Sequence, residues 1–236
     1  GSISWESLPY REPQRLQEAF GDARAEKAPA LNAAAPSPAL SLAVDPSSPG
    51  LMLAGTSGKG VIRRDAGSWN ATSLTTGAVY ALLFDSAVPG RAWLGGSPAA
   101  GTLQVSLDQG LHWAPAASGL AGRSVYALSQ GTSQPHVLLA GTDSGLYLSH
   151  DGGVTWTLSA LAGQDVRAVA VHPQDAGRLV AATSTAIYLS QNGGASWEVT
   201  EPGHNGYGYT GVFAPQNKPG YFYFYSRYNG IVQIYR

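Results

Sequence analysis

Three eight-residue segments share one pattern: SLDQGLHW from Ser106 to Trp113, SHDGGVTW from Ser149 to Trp156, and SQNGGASW from Ser190 to Trp197. A worn copy, RRDAGSW, runs from Arg63 to Trp69 and is one residue shorter. The four tryptophans therefore stand 44, 43 and 41 residues apart. A repeat this short has no room for a core of its own. Each unit must bury its apolar faces against its neighbours, so the chain is expected to be an array of similar supersecondary units.

Every unit has the same order of parts. An apolar strand opens it: LSLAVDP (40–46), VYALLFD (79–85), VYALSQG (125–131), VRAVAVHP (166–173) and YTGVFAP (209–215). A Pro/Gly turn follows, then a second strand ending in small residues, such as LMLAGT (51–56), AWLGGS (92–97) and VLLAGT (137–142). A third strand leads into the box, and an outer strand starts near the tryptophan. Four antiparallel strands in a period of about 40 is the spacing of propeller blades. Gly and Pro number 30 and 15, while only 12% of residues are charged, which fits many short strands and turns.

The boxes resemble the Asp-box, or bacterial neuraminidase repeat, S-x-D-x-G-x-x-W. The resemblance implies a β-propeller; similar repeats occur in sialidases, sortilin-type receptors, some glucanases and photosystem II assembly-factor-like proteins. The box also has a physical rationale. Asp108 and Asp151 can accept backbone N–H bonds inside a tight turn, and the Asn192 amide can do the same. Gly110, Gly153 and Gly194 can take a positive φ. Trp113, Trp156 and Trp197 are expected to fill the wedge between blades. All nine are read as structural, with no metal and no cofactor.

The expected fold is all-β: a single domain (1–236) forming a five-bladed β-propeller of four-stranded antiparallel blades. Blade one is 40–73, blade two 79–116, blade three 125–160, blade four 166–201 and blade five 207–236. Blade five has no box and no outer strand after Arg236. ISWESLP (3–9) reads like the outer strands that follow the other boxes. The N-terminal strand is therefore expected to complete blade five and remove an open sheet edge; the alternative reading is a truncated fragment of a larger, seven-bladed ring. Between it and blade one lies an insertion, 10–39. Pro13, Leu16, Ala19, Phe20 and Ala23 predict one short amphipathic helix over about 13–27, followed by an Ala/Pro-rich tether.

Loops before strand one and between strands two and three share one face of such a ring, here called the top; the boxes mark the other. Aligning the first strands on Pro46, Pro173 and Pro215 puts Leu40, Tyr80, Tyr126, Arg167 and Tyr209 at one position near the top of the channel. Three tyrosines and an arginine there would form a rim able to stack a sugar or clamp a carboxylate. Arg123, His204 and Tyr228 lie on loops nearby and join the candidate binding residues. Blade five is also rich in tyrosine, and Tyr225 is oversized where other repeats carry Gly or Ala.

Acids of the kind glycoside cleavage needs are missing from the upper inner strands. Asp45, Asp85 and His172 fall at the bottom ends of their strands, and Asp165 is more simply the partner of Arg167. No catalytic residue is assigned, and the enzyme reading is the weaker one. The expected function is a non-catalytic interaction or assembly scaffold presenting its top face to a protein partner. The alternative is a glycan-binding module, or a degenerate sialidase-like glycosidase, using the Tyr/Arg rim. A net charge of −1 without a basic cluster argues against nucleic acid. No apolar run is long enough for a membrane span. The absence of Cys fits an extracytoplasmic protein, expected to be monomeric, and Gly1-Ser2 has the form of a tag-cleavage remnant, so an upstream anchor or signal segment is allowed for.

Overall fold

The computed structural model describes residues 37–116, 119–202, 208–215, 220–226 and 230–235. They form five antiparallel sheets, and the only helical element among the described residues is a 3-10 turn at Pro98–Ala100. Blade one contains β1 (Ala39–Asp45), β2 (Ser48–Thr56), β3 (Val61–Asp65) and β4 (Ser68–Ala71). Blade two contains β5 (Val79–Phe84), β6 (Ala92–Gly96), β7 (Leu103–Ser106) and β8 (Ala114–Pro115). Blade three contains β9 (Val125–Gln130), β10 (Leu138–Thr142), β11 (Gly145–Ser149) and β12 (Thr157–Ala160). Blade four contains β13 (Val166–Val171), β14 (Leu179–Thr183), β15 (Ala186–Ser190) and β16 (Glu198–Pro202). Blade five contributes β17 (Gly211–Phe213), β18 (Tyr221–Ser226) and β19 (Gly230–Tyr235). Within each blade the strands pair in chain order. The expected N-terminal strand at 3–9 and helix at 13–27 lie outside the described residues.

The first strands stand side by side in blade order, from β1 to β17, and residues of all five line one cavity. That is the arrangement of a β-propeller. Each pair of consecutive blades encloses its own apolar core. Leu53, Val61, Val79 and Leu94 fill the first interface, and Trp93, Val125, Leu138 and Trp156 the second. Leu139, Leu146, Val166 and Leu179 fill the third, and Val180, Ile187, Tyr209 and Phe222 the fourth.

Small residues in the second strands set how closely blades approach. A Cβ on Gly55 would lie 2.5 Å from Val79 of the next blade, one on Gly95 2.6 Å from Val125, and one on Gly141 2.6 Å from the Val166 carbonyl. In blades one to three the small residue pairs of the sequence repeat are thus the sockets for the first valine of the following blade.

The boxes close the other side of each wedge. In all three, the serine hydroxyl accepts the amide of the glycine at 2.9 Å (Ser106–Gly110, Ser149–Gly153, Ser190–Gly194). Asp108, Asp151 and Asn192 accept the amides of His112, Thr155 and Ser196 at 2.9 Å, so the amide does replace the carboxylate at Asn192. The glycines have φ of +84°, +87° and +90°. They do more than turn the chain, because each leans on the preceding blade: Cβ atoms there would meet Leu53 at 2.5 Å, Trp93 at 2.5 Å and Leu148 at 2.9 Å. The worn copy has collapsed into a two-residue hairpin turn, Ala66-Gly67, with φ of +47° and +88°.

This separates two neighbouring glycines by mechanism. Gly152 has φ +70° and nothing closer than 3.9 Å to its would-be Cβ, whereas Gly153 faces the Trp93 ring. Gly152→Ala is expected to cost about 1–2 kcal/mol, the left-handed backbone penalty alone. Gly153→Ala should cost about 2–4 kcal/mol, because overpacking is added. Urea denaturation of the two variants checks the difference.

Candidate functional site

The top of the channel is built by β-bulges. In β1, Ala39 pairs with Thr56 and Ser41 with Gly55, leaving Leu40 as the extra residue. Tyr80, Tyr126 and Arg167 occupy the same unpaired place in β5, β9 and β13. A bulge re-aims the side chain it carries, and all four residues line the channel cavity of about 420 Å³.

Blade five departs from the expected alignment. Gly211 pairs with Tyr225 as Ala127 pairs with Gly141, so the rim position is Thr210 and not Tyr209. Tyr209 takes the place of Val79, Val125 and Val166; it is 1% exposed and packs edge-on against Phe224 at 5.8 Å. A slip of one residue moves a side chain to the other face of a strand, and the anchor at Pro215 concealed it. Tyr209 is therefore corrected from a rim residue to a core residue. Thr210 and Gly211, which the sequence reading missed, line the cavity together with Tyr225. The oversized residue at 225 was the available signal. A Cβ on Gly211 would lie 2.1 Å from the Tyr225 ring, so the ring lies directly over the glycine.

The rim side chains form a ladder. The Arg167 guanidinium lies 3.7 Å from the centre of the Tyr126 ring, and the Tyr126 and Tyr80 rings are 5.3 Å apart, tilted by 57°. Arg167 Nη2 also donates to Asp165 at 2.5 Å, an ion pair with both side chains partly in solvent. A cation over a tyrosine face is worth about 0.5–1 kcal/mol at an exposed site, so the ladder is pre-ordered. Arg123 is not part of it. Its guanidinium stacks over Tyr147 at 5.3 Å and donates to the Ser144 hydroxyl. His204 and Tyr228 lie outside the described residues.

The carboxylates at the bottom strand ends and in the boxes serve the framework. At the bottom end of β5, Asp85 accepts the amides of Ala87 and Val88, both Arg91 side-chain donors at 2.6–2.7 Å, and the Trp93 indole at 3.3 Å. Burial pushes its pKa up, but these hydrogen bonds and one involving Gln130 outweigh burial and hold it below the ordinary range. Asp45 accepts the amide and hydroxyl of Ser47. His172 Nε2 is 3.0 Å from the Gly220 amide of blade five, and burial, then Arg178, lowers its pKa. In the boxes, burial raises the Asp108 carboxyl, but the His112 amide and ring and the Ser106 hydroxyl bring it down to about 2. The hydroxyl and amide of Thr155 hold Asp151 at about 2. No carboxylate is among the described residues lining the channel cavity.

Comparison with known proteins fits this geometry. The BNR/Asp-box repeat model matches residues 147–158, the third box and its flanks. No curated protein matches the chain. Among solved structures, the chain is similar to the GH74 xyloglucanase from Xanthomonas campestris (TM-score 0.64, 21% identity, 80% of this chain and 34% of that one). It is also similar to the GH74 enzyme of Niastella koreensis (TM-score 0.66, 19% identity, 84% and 36%). A chain of the COPII outer coat vertex on membranes matches with TM-score 0.62 and 13% identity, over 84% and 58%. The chain thus spans about a third of the length of those two enzymes. At these identities the likeness is one of fold. The protein is a β-propeller built on BNR/Asp-box repeats. None of its described helical segments is long and apolar enough to cross a membrane.

Proposed function

We propose that the protein is a non-catalytic, extracytoplasmic interaction propeller whose top rim engages a protein partner. The observation that carries this reading is the Arg167–Tyr126–Tyr80 ladder. A sugar platform needs a free aromatic face, and the guanidinium covers one face of Tyr126 while Tyr80 crowds the ring. Glycoside cleavage needs two carboxylates across the scissile bond, and the described cavity lining supplies none. A half-exposed guanidinium on a rigid bulge, with donors beyond the one used by Asp165, suits a carboxylate on a partner's side chain or chain end. The glycan-binding alternative draws its support from the xyloglucanase likeness, which extends to the fold.

The test uses a photo-crosslinking residue at position 80 in the natural host. A discrete cross-linked protein, lost on Arg167→Glu, is the expected result. Soluble xyloglucan, other β-glucans and sialylated glycans should give neither turnover nor a thermal shift. A glycan-induced shift that disappears in both Tyr126→Ala and Arg167→Ala would replace this reading with the glycan one.

A further inference from the structure

His172 stands where blades one and two place a carboxylate. In strand register it is the counterpart of Asp45 and Asp85. Those carboxylates accept amides of the turn that follows them: Ser47 in blade one, Ala87 and Val88 in blade two. His172 does the same through Nδ1, which is 3.2 Å from the Gln174 amide and 3.1 Å from that of Asp175. Its other nitrogen, Nε2, faces a third donor, the Gly220 amide of blade five, at 3.0 Å. Both ring nitrogens are thus placed as acceptors. A carboxylate meets that demand with lone pairs to spare, but a neutral imidazole has one acceptor nitrogen and an imidazolium has none. Burial decides which contact matters more. Gln174 and Asp175 are exposed, so water can reach their turn. Gly220 is buried, and an orphaned buried amide is costly.

We propose that His172 is a proton-operated latch between blades four and five: neutral, with its proton on Nδ1, it holds the Gly220 amide through Nε2, and protonated it lets that amide go. Protonation sets an N–H against the Gly220 N–H, so the contact turns from attractive to repulsive. The surroundings keep the ring neutral. It is 3% exposed and meets Phe222 of β18 edge-on at 5.7 Å. Burial is the largest influence against its charge; among the described charged groups Arg178 adds to it and Asp175 opposes it. Tyr221 and Tyr223 of β18 stack on each other, and strand alternation sets them on the face opposite Phe222. The folded ring therefore takes up a proton at lower pH than the unfolded chain. The latch contributes fully above about pH 6.5, and its contribution is lost as pH falls through the lower folded value. Blade five supplies Thr210, Gly211 and Tyr225 to the channel cavity, so the latch sets how firmly that side of the mouth is held.

Two measurements on the whole chain test the latch. Nitrogen NMR of the parent at about pH 7.5 should show the His172 ring protonated at Nδ1 and bare at Nε2. Hydrogen exchange then follows the Gly220 amide, corrected for the intrinsic effect of pH on exchange. Its protection should fall about tenfold between about pH 7.5 and about pH 5 in the parent. His172→Gln keeps an acceptor oxygen near the place of Nε2 and does not titrate in this range. Its Gly220 protection should change by less than about twofold, and the Leu94 amide of blade two should stay steady in both proteins. A parent ring protonated at Nε2 at about pH 7.5 overturns the proposal, as does a Gly220 amide whose protection does not fall. An equal fall in parent and His172→Gln overturns it too. The tautomer is read on the parent, so it decides the matter even where the variant does not fold.

Discussion

Asp85→Ala should be among the most damaging single substitutions in the protein, costing about 3–5 kcal/mol in urea or thermal unfolding. The carboxylate has no solvent-exposed side-chain surface, and its two oxygens take five donors, from Ala87, Val88, Arg91 and Trp93. Removing it strands the Arg91 guanidinium and the Trp93 indole at once. Asp85→Asn keeps the shape and some acceptors, so it should cost less than the alanine variant. The sign of the pH dependence follows from the depressed pKa. A carboxyl whose folded pKa is below its unfolded value stabilises above about pH 4, and that contribution fades as pH falls through the folded value. The parent should therefore lose stability on acidification below about pH 4. The loss should be shallower in Asp85→Ala, and not abolished, because Asp108 and Asp151 titrate in the same direction. A variant within 1 kcal/mol of the parent at neutral pH, or one with an unchanged acid limb, would show that the network contributes little.

Trp156→Ala should cost a similar amount, about 3–5 kcal/mol. Trp156 is buried against Trp93, Val125 and Leu138 in the core between blades two and three, and its indole donates to the Gly153 carbonyl at 3.2 Å. Trp69 begins the same kind of outer strand, but its turn is a bare hairpin and it belongs to none of the four cores. Trp69→Ala is expected to lose about 1 kcal/mol or less. Equal losses at the two positions would mean that the box tryptophan acts within its own blade and not between blades. Chemical denaturation of the pair decides this.

What could be read from residues alone follows from what repeats. The box serine, acid and glycine recur in phase, and the structure uses them identically three times, with Asn192 in the acid's place. The small pairs such as Ala54-Gly55 recur too, although their purpose as sockets needed the neighbouring blade to be seen. Blade five broke the pattern, and there the reading failed by one residue. Proline is a weak ruler at the end of a strand that is only three residues long, and a single step exchanged buried Tyr209 for exposed Thr210. The Arg167–Tyr126 stack was also hidden, because residues 41 apart in sequence meet only once adjacent blades are docked. The exposure of Leu40, Leu42 and Val44 was hidden too, because in sequence they look like any other inner strand.

The way each box glycine leans on its predecessor gives the molecule a direction. Gly110 touches blade one, Gly153 blade two and Gly194 blade three. During synthesis the surface that each new unit must grip has already left the ribosome, so assembly can ratchet forward without waiting for sequence still to be translated. Growth from the other terminus would present every turn before the surface it fits.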